Sequence, residues 1–356
     1  MTSSAAMITP AQQQDLMVKL AALGDALTAA RETLQRQLGE QFLSIGMPGA
    51  PDCERAGYGS TVALTGEHAN FSYAVVCDEK SARWLARRFF SLEADDECQL
   101  SDVADALNEF PNVAAGLWKA KRQHHGERYQ LGLPLFMRGS SWLRFFSKGV
   151  NAISQRLAGP EGVSLQIVLI WQSGIKPGGA SSMSTQTAAA TAEAANMPIN
   201  VLQEATQAVV NTCEVQMGLS LEIDANPGDP REAAVQYGSS IALTTEVGGG
   251  WNLAVMGDKE SCQKLTRILF AMEADEEPAM EDLADGIGEI ANVAAGVFKA
   301  SRLAAGERVQ IGLPLFMEGR GCIDFFASGL QGLSQSLNGP DGIIVHVILI
   351  WQEGEK

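Results

Sequence analysis

Two runs in this chain are apolar at nearly every position, SLQIVLIW at 164–171 and IIVHVILIW at 343–351. Runs that short and that apolar predict strands in the core of a sheet. Shorter strand-like runs at 61–65 and 71–76 return at 241–245 and 251–256. Asp78 and Asp258 stand where their carboxylates can cap helices predicted over 79–92 and 259–272. Two longer helices follow, over about 102–123 and 281–304. Each half opens on a helix, from Pro10 to about Leu43 and from Pro198 to about Met217, with proline in its favoured first turn. Beyond Pro134 and Pro314, the stretches SWLRFFSKGVNAISQRL (141–157) and CIDFFASGLQGLSQSL (322–337) read as helical. Strands and helices in this mixture predict an α+β fold, an antiparallel-type sheet layered against helices in each half.

The pattern repeats because the sequence does. NVAAGLWKAKRQHHGERYQLGLPLF at 112–136 returns as NVAAGVFKASRLAAGERVQIGLPLF at 292–316, an offset of 180 residues. The same offset carries Trp171 onto Trp351 and Asp105 onto Asp285, and Tyr58-Gly-Ser matches Tyr237-Gly-Ser. A repeat this long is a duplicated domain and not a solenoid unit. Between the copies, 173–197 is rich in Gly, Ser, Thr and Ala without apolar periodicity, as a flexible linker would be. The domains are therefore expected at 11–173 and 198–356, joined by a linker at 174–197. The duplication leaves open whether the two repeats pack together as an intramolecular pseudo-dimer.

The 356 residues suffice for two domains, with 46% apolar and 19% charged residues in a normal globular balance. No run approaches the ~20 apolar residues a membrane span needs. The N-terminus has no basic residue ahead of an apolar run, so it does not read as a secretory signal. Six scattered cysteines without a CxxC pair suit reduced thiols and a cytoplasmic setting. Neither they nor the four histidines form a metal pattern, and no Gly-rich phosphate loop or nucleophile elbow is present. A net charge of −16 argues against nucleic acid as a partner. That charge is uneven. Residues 1–175 hold 16 Lys and Arg against 18 Asp and Glu, a net of −2, and residues 176–356 hold 10 against 24, a net of −14. An acidic half keeps a protein soluble, or meets a partner with an exposed basic surface.

The helices over 102–123 and 281–304 carry the candidate chemistry. Each reads D-x3-E-x2-N, as Asp105, Glu109 and Asn112 and as Asp285, Glu289 and Asn292. Offsets of four and seven place each triplet on one stripe of a helix. Leu107, Phe110, Ala114 and Leu117 fall on the opposite stripe, as do Ile287, Ile290, Ala294 and Val297. Those apolar stripes need a core, so the acid–amide stripes are predicted to face out. Gly116 and Gly296, one turn after each Asn, would let another backbone come close. Taken alone, such a stripe is an ordinary solvated helix face.

The longer frame narrows the reading. D-x3-E-x2-N followed 22 residues later by Pro134 or Pro314, with the string GEIANVAAG at 288–296 and GERxQxGLP at 126–134 and 306–314, resembles the CheC/CheX/FliY family, in its CheX branch. The resemblance implies a chemotaxis phosphatase acting on the phosphorylated receiver domain of a CheY-like response regulator. It implies that Asn292 and Asn112 position the attacking water and that Glu289 and Glu109 pair with a receiver Lys. Asp285 and Asp105 would support them. No cofactor of the chain's own is implied, and the Mg²⁺ would sit on the receiver. The alternative of the same fold is a non-catalytic receiver-binding adaptor or flagellar-switch module. Pro111 stands between Glu109 and Asn112, where the second repeat has Ala291, and a proline there is expected to kink the helix.

Overall fold

A computed structural model of the chain describes residues 10–52, 57–66, 69–93, 96–138, 150–172, 197–224, 226–233, 235–245, 250–273, 275–318 and 330–352. The first repeat runs α1 (Pro10–Leu38), β1 (Leu43–Gly49), β2 (Tyr58–Gly66), β3 (Phe71–Cys77), α2 (Glu79–Phe89), α3 (Leu100–Gln123), β4 (Tyr129–Arg138), β5 (Val150–Ala158) and β6 (Ser164–Gln172). The second follows the same order, with α4 (Met197–Met217), β7 (Glu222–Ile223), β8 (Tyr237–Thr245), β9 (Gly250–Gly257) and α5 (Lys259–Leu269). It ends with α6 (Met280–Ala304), β10 (Val309–Glu318), β11 (Leu330–Asn338) and β12 (Ile344–Gln352). Each repeat forms a six-stranded antiparallel sheet, in the orders β1-β5-β6-β3-β2-β4 and β10-β8-β9-β12-β11-β7. The expected linker at 174–197 lies outside the described residues, apart from Met197, which begins α4.

The apolar runs occupy central strands whose two faces are both covered. On β6, Leu165, Ile167 and Leu169 enter the core beneath α1, α2 and α3, and Val168 and Ile170 point the other way. On β12, Val345, Val347 and Leu349 pack under α4–α6, and Ile348 and Ile350 point away from them. The residues that point away meet in a third buried cluster, which joins the sheets face to face and includes Val76, Leu135, Met137, Met256, Leu315 and Met317. The order of layers is helices, sheet, sheet, helices. Period-two alternation with burial on both sides explains why these strands carry almost no polar position.

Polar contacts cross between the sheets as well. Thr65 and Thr244 share a hydroxyl–hydroxyl hydrogen bond of 2.6 Å, and the Asn70 amide donates to the Ile311 carbonyl at 2.9 Å. Between these ends the backbones come close. A Cβ on Gly132 would lie 3.2 Å from Ala63 Cβ and 3.3 Å from Ala242 Cβ, and one on Gly312 would lie 3.2 Å from Ala242 Cβ.

Two sequence expectations change. The stretches read as helical after Pro134 and Pro314 are strands wherever they are described, as β5 and β11; residues 139–149 and 319–329 lie outside the described residues. Their apolar pairs Ile153/Leu157 and Leu333/Leu337 are four apart, a spacing that keeps one face in a helix and in a strand alike. Pairing with β6 and β12 along nine residues each decides for the strand. The first helix also stops at Leu38, before the predicted Leu43, because Gly39 adopts the left-handed φ of +70° that ends helices.

Candidate functional site

The helices α3 and α6 begin alike. The Asp102 carboxylate accepts from the Gln99 amide at 2.7 Å, and Asp282 accepts from Ala279 at 2.9 Å, which satisfies donors at each helix start. Their inner faces are fully buried through Leu107, Phe110 and Ala114, and through Ile287, Ile290 and Ala294. The inner stripe then ends on Trp118 and Phe298 in place of the predicted Leu117 and Val297, of which Val297 is 38% exposed. A helix turns about 100° per residue, so Leu117 falls about 20° to one side of Phe110, while buried Leu107, Ala114 and Trp118 fall about 60°, 40° and 80° to the other, the side that faces the core.

Several contacts fix the rotation of each helix about its axis. Trp118 Nε1 donates to the Ala22 carbonyl at 2.9 Å, and its ring meets Phe71 edge-on at 5.4 Å. Phe298 meets Trp251 edge-on at 6.2 Å. At the helix ends the buried guanidinium of Arg122 joins Glu127 and, at 3.2 Å, Asp25; Arg302 likewise joins Glu307 at 2.6 Å and Glu204 at 3.2 Å. These pairs hold Glu127 below the usual carboxylate range against a desolvation that pushes it up, chiefly through the Arg122 hydrogen bonds. The first repeat adds a pin of its own, because buried Asn108 accepts from the Ser60 hydroxyl at 2.6 Å. The second has Gly288 at that place, and the Ser239 hydroxyl has no partner there.

With the helices so held, the acid–amide stripes face outward. Glu109, Glu289 and Asn292 are exposed, and Asp105, Asp285 and Asn112 are half-buried. The side chains of Glu109, Asn112, Glu289 and Asn292 make no hydrogen bond or ion pair among the described residues, so their polar atoms are available to a partner. All six predicted residues thus fall on two outward stripes, three on each helix, with no mixing between repeats. The stripe runs on through Gly116 and Lys119 in the first repeat, and through Gly296, Lys299 and Leu303 in the second. Leu303 is 56% exposed. A Cβ on either glycine would meet nothing within 4 Å, so open space lies over the helix one turn after each Asn. The two lysines were missed from sequence, although their spacing of seven from each Asn was the signal that marks one face.

Pro111 does not interrupt its helix. The helix α3 is continuous from Leu100 to Gln123, with Phe110 and Pro111 both buried. Core packing on both sides of the proline overrides the local preference.

The strings that flank the stripe turn out to be structural. In the stretch GERxQxGLP, Gly126 takes a φ of +82° in the turn after α3, Glu127 holds Arg122, and Gly132 allows the sheets to approach. Pro134 sits on β4, an outer strand, where its missing N–H costs least. The second repeat does the same with Gly306, Glu307, Gly312 and Pro314.

Fold and stripe together define a duplicated α+β protein that presents the same acid–amide helix on each of its two outer faces. The family model of the chemotaxis phosphatase CheX matches residues 58–158 and 241–334, and the chain belongs to that family. No curated protein matches the chain. Among solved structures it is similar to a CheX–CheY–BeF3–Mg²⁺ complex from Borrelia burgdorferi, at 22% identity over 43% of this chain and 98% of that one, with a TM-score of 0.38. Chemotaxis protein CheX from Desulfovibrio desulfuricans is 18% identical over 43% and 99% of the two chains, at 0.37. CheX from Vibrio vulnificus is 14% identical over 43% and 99%, at 0.38. Among the described residues no helix is long and apolar enough to cross a membrane, and no cluster of His, Cys, Asp and Glu could hold a metal ion.

Proposed function

We propose that this protein hydrolyses the aspartyl phosphate of a CheY-like receiver domain in the cytoplasm. The observation that carries the reading is the pair of outward stripes, each offering an unpartnered carboxylate and carboxamide one turn apart on a rigidly held helix. The receiver would supply the phosphoryl group, a Mg²⁺ and a Lys, which together already neutralise the charge of the transition state. What it lacks is a water held in line with the leaving carboxylate. A carboxamide can accept a hydrogen bond from that water's O–H through Oδ1 and so aim the water's lone pair at phosphorus without acting as a base. Asn292 and Asn112 take this role. Glu289 and Glu109 pair with the receiver Lys through a charge-assisted hydrogen bond and set the register of docking. Asp285 and Asp105 support that contact.

In the same reading the domains at 11–173 and 198–356, joined by a linker at 174–197, act as an intramolecular pseudo-dimer. The buried cluster between the sheets supports this, because separating the repeats would expose it. The second repeat carries most of the activity, since Asn292 is exposed and Asn112 is half-buried.

The test is phosphate release from a phosphorylated receiver incubated with the full chain. Asn292→Ala should slow release about a hundredfold, the scale of a misplaced reactant, and leave receiver binding near that of the unmodified protein. Asn112→Ala should change release little. Undiminished release by the double variant Asn112→Ala/Asn292→Ala refutes the mechanism.

A further inference from the structure

The duplication provides an internal comparison, and one place differs in kind between the repeats. In the first, the space between α2 and the turn at Pro160–Gly162 is filled by aromatic side chains. Trp84 is buried there, meets Phe42 edge-on at 6.0 Å, and lies under the Arg88 guanidinium at 5.4 Å. Arg88 in turn pairs with Glu40 at 3.5 Å and Glu161 at 3.3 Å. Lys80 donates to the Glu161 carbonyl and closes the turn.

In the second repeat the filling is gone. Lys264 replaces Trp84, Leu221 replaces Phe42, and Ile268 replaces Arg88. A pocket of about 440 Å³ opens between α5 and the turn at Pro340–Gly342, lined by Lys264, Arg267, Ile268, Met272, Asp341 and Ile343. Lys264 now closes the turn, donating to the Asp341 carbonyl at 2.7 Å and pairing with Glu260 at 2.6 Å, so its charge is already met. Arg267 is different. Its counterpart Arg87 donates to the Glu93 and Asp96 carbonyls, whereas Arg267 makes no such bond among the described residues. The walls beside it are apolar, through Ile268, Met272 and Ile343.

We infer that this pocket binds a small organic anion: an aromatic body the size of the missing indole, bearing one carboxylate, sulfonate or phosphate that reaches Arg267. The aromatic part would occupy the place Trp84 takes in the first repeat, against Ile268 and Met272. The acidic group would meet the unpartnered guanidinium, the side chain best suited to hold it. The site is separate from the acid–amide stripe and belongs to the second repeat alone.

The probe is 8-anilino-1-naphthalenesulfonate, whose fluorescence rises when its rings leave water, titrated into the folded full chain. One saturable site per chain is expected. Lys264→Trp, which restores the filling of the first repeat, should abolish it. Arg267→Gln should weaken it by roughly tenfold, the worth of a charge-assisted contact. Ile268→Glu, a change at a position 39% exposed and so tolerable to the fold, should also abolish it by placing a carboxylate in the wall. Melting temperatures identify any variant that fails to fold, and Ile268→Glu then stands in for Lys264→Trp. Saturable binding that survives both plugging and charge reversal places the dye elsewhere and overturns the inference. So does an affinity for Arg267→Gln within twofold of the unmodified protein, or no binding to that protein at all.

Discussion

Replacing Pro111 by Ala should stabilise the protein, although Pro111 is buried in a helix that packs on the core. In a helix interior proline is about 3 kcal/mol less favourable than alanine. Its missing N–H leaves the Leu107 carbonyl without the i−4 partner, and its ring crowds that carbonyl. Against this, the buried ring contributes two methylenes that alanine lacks, worth about 0.8 kcal/mol each. The difference is a gain of about 1.5 kcal/mol, or roughly 3–6 °C in melting temperature for a domain of this size. The second repeat has already made the exchange, with Ala291 fully buried at the same place. The reverse change, Ala291→Pro, should therefore cost the helix penalty and overpack the core besides, about 4–6 kcal/mol in all. Calorimetry of the full chain measures both. A loss of more than 1 kcal/mol in Pro111→Ala would show that the ring is an irreplaceable part of the packing and would refute the reasoning. Because α3 is already continuous through Pro111, the same substitution in an Asn292→Ala background should leave the first repeat's phosphate release unchanged within about twofold.

Two further outcomes follow from the geometry. Gly296→Leu should preserve or slightly raise stability, since open space lies over the helix there and leucine is the better helix former by about 0.8 kcal/mol. It should nevertheless abolish receiver binding to the second repeat, measured by titration of a phosphorylated receiver; retained binding would move the docking surface off this stripe. Burial lowers the pKa of His346 below 6.5, with Asp258 opposing the shift, and the Ser336 hydroxyl lies 3.2 Å from its ring nitrogen. The unfolded chain then binds the proton more readily than the folded one. Stability should fall as the pH drops through 6.5, and denaturation curves of His346→Gln should lack that part of the slope.

Much of this protein is legible in one dimension. The duplication, the paired strands, the caps at Asp78 and Asp258, and the outward stripes all rest on periodicity and local chemistry, which the chain carries residue by residue. The strands β5 and β11 were not legible, because apolar residues four apart suit both periods and only pairing with β6 and β12 breaks the tie. Pro111 gave a second misleading signal. Its local preference against the helix is real, but burial of Phe110 and its neighbours outweighs a penalty of a few kcal/mol. What tertiary structure alone decided is how the repeats meet. Alternation along β3, β6, β9 and β12 shows that both faces of each sheet must be covered, yet it cannot say by what. The second sheet provides the cover because Ala63, Ala242, Gly132 and Gly312, far apart in sequence, leave just enough room for two backbones to approach. Steric fit between distant small residues has no period along the chain, so only the folded molecule reveals it.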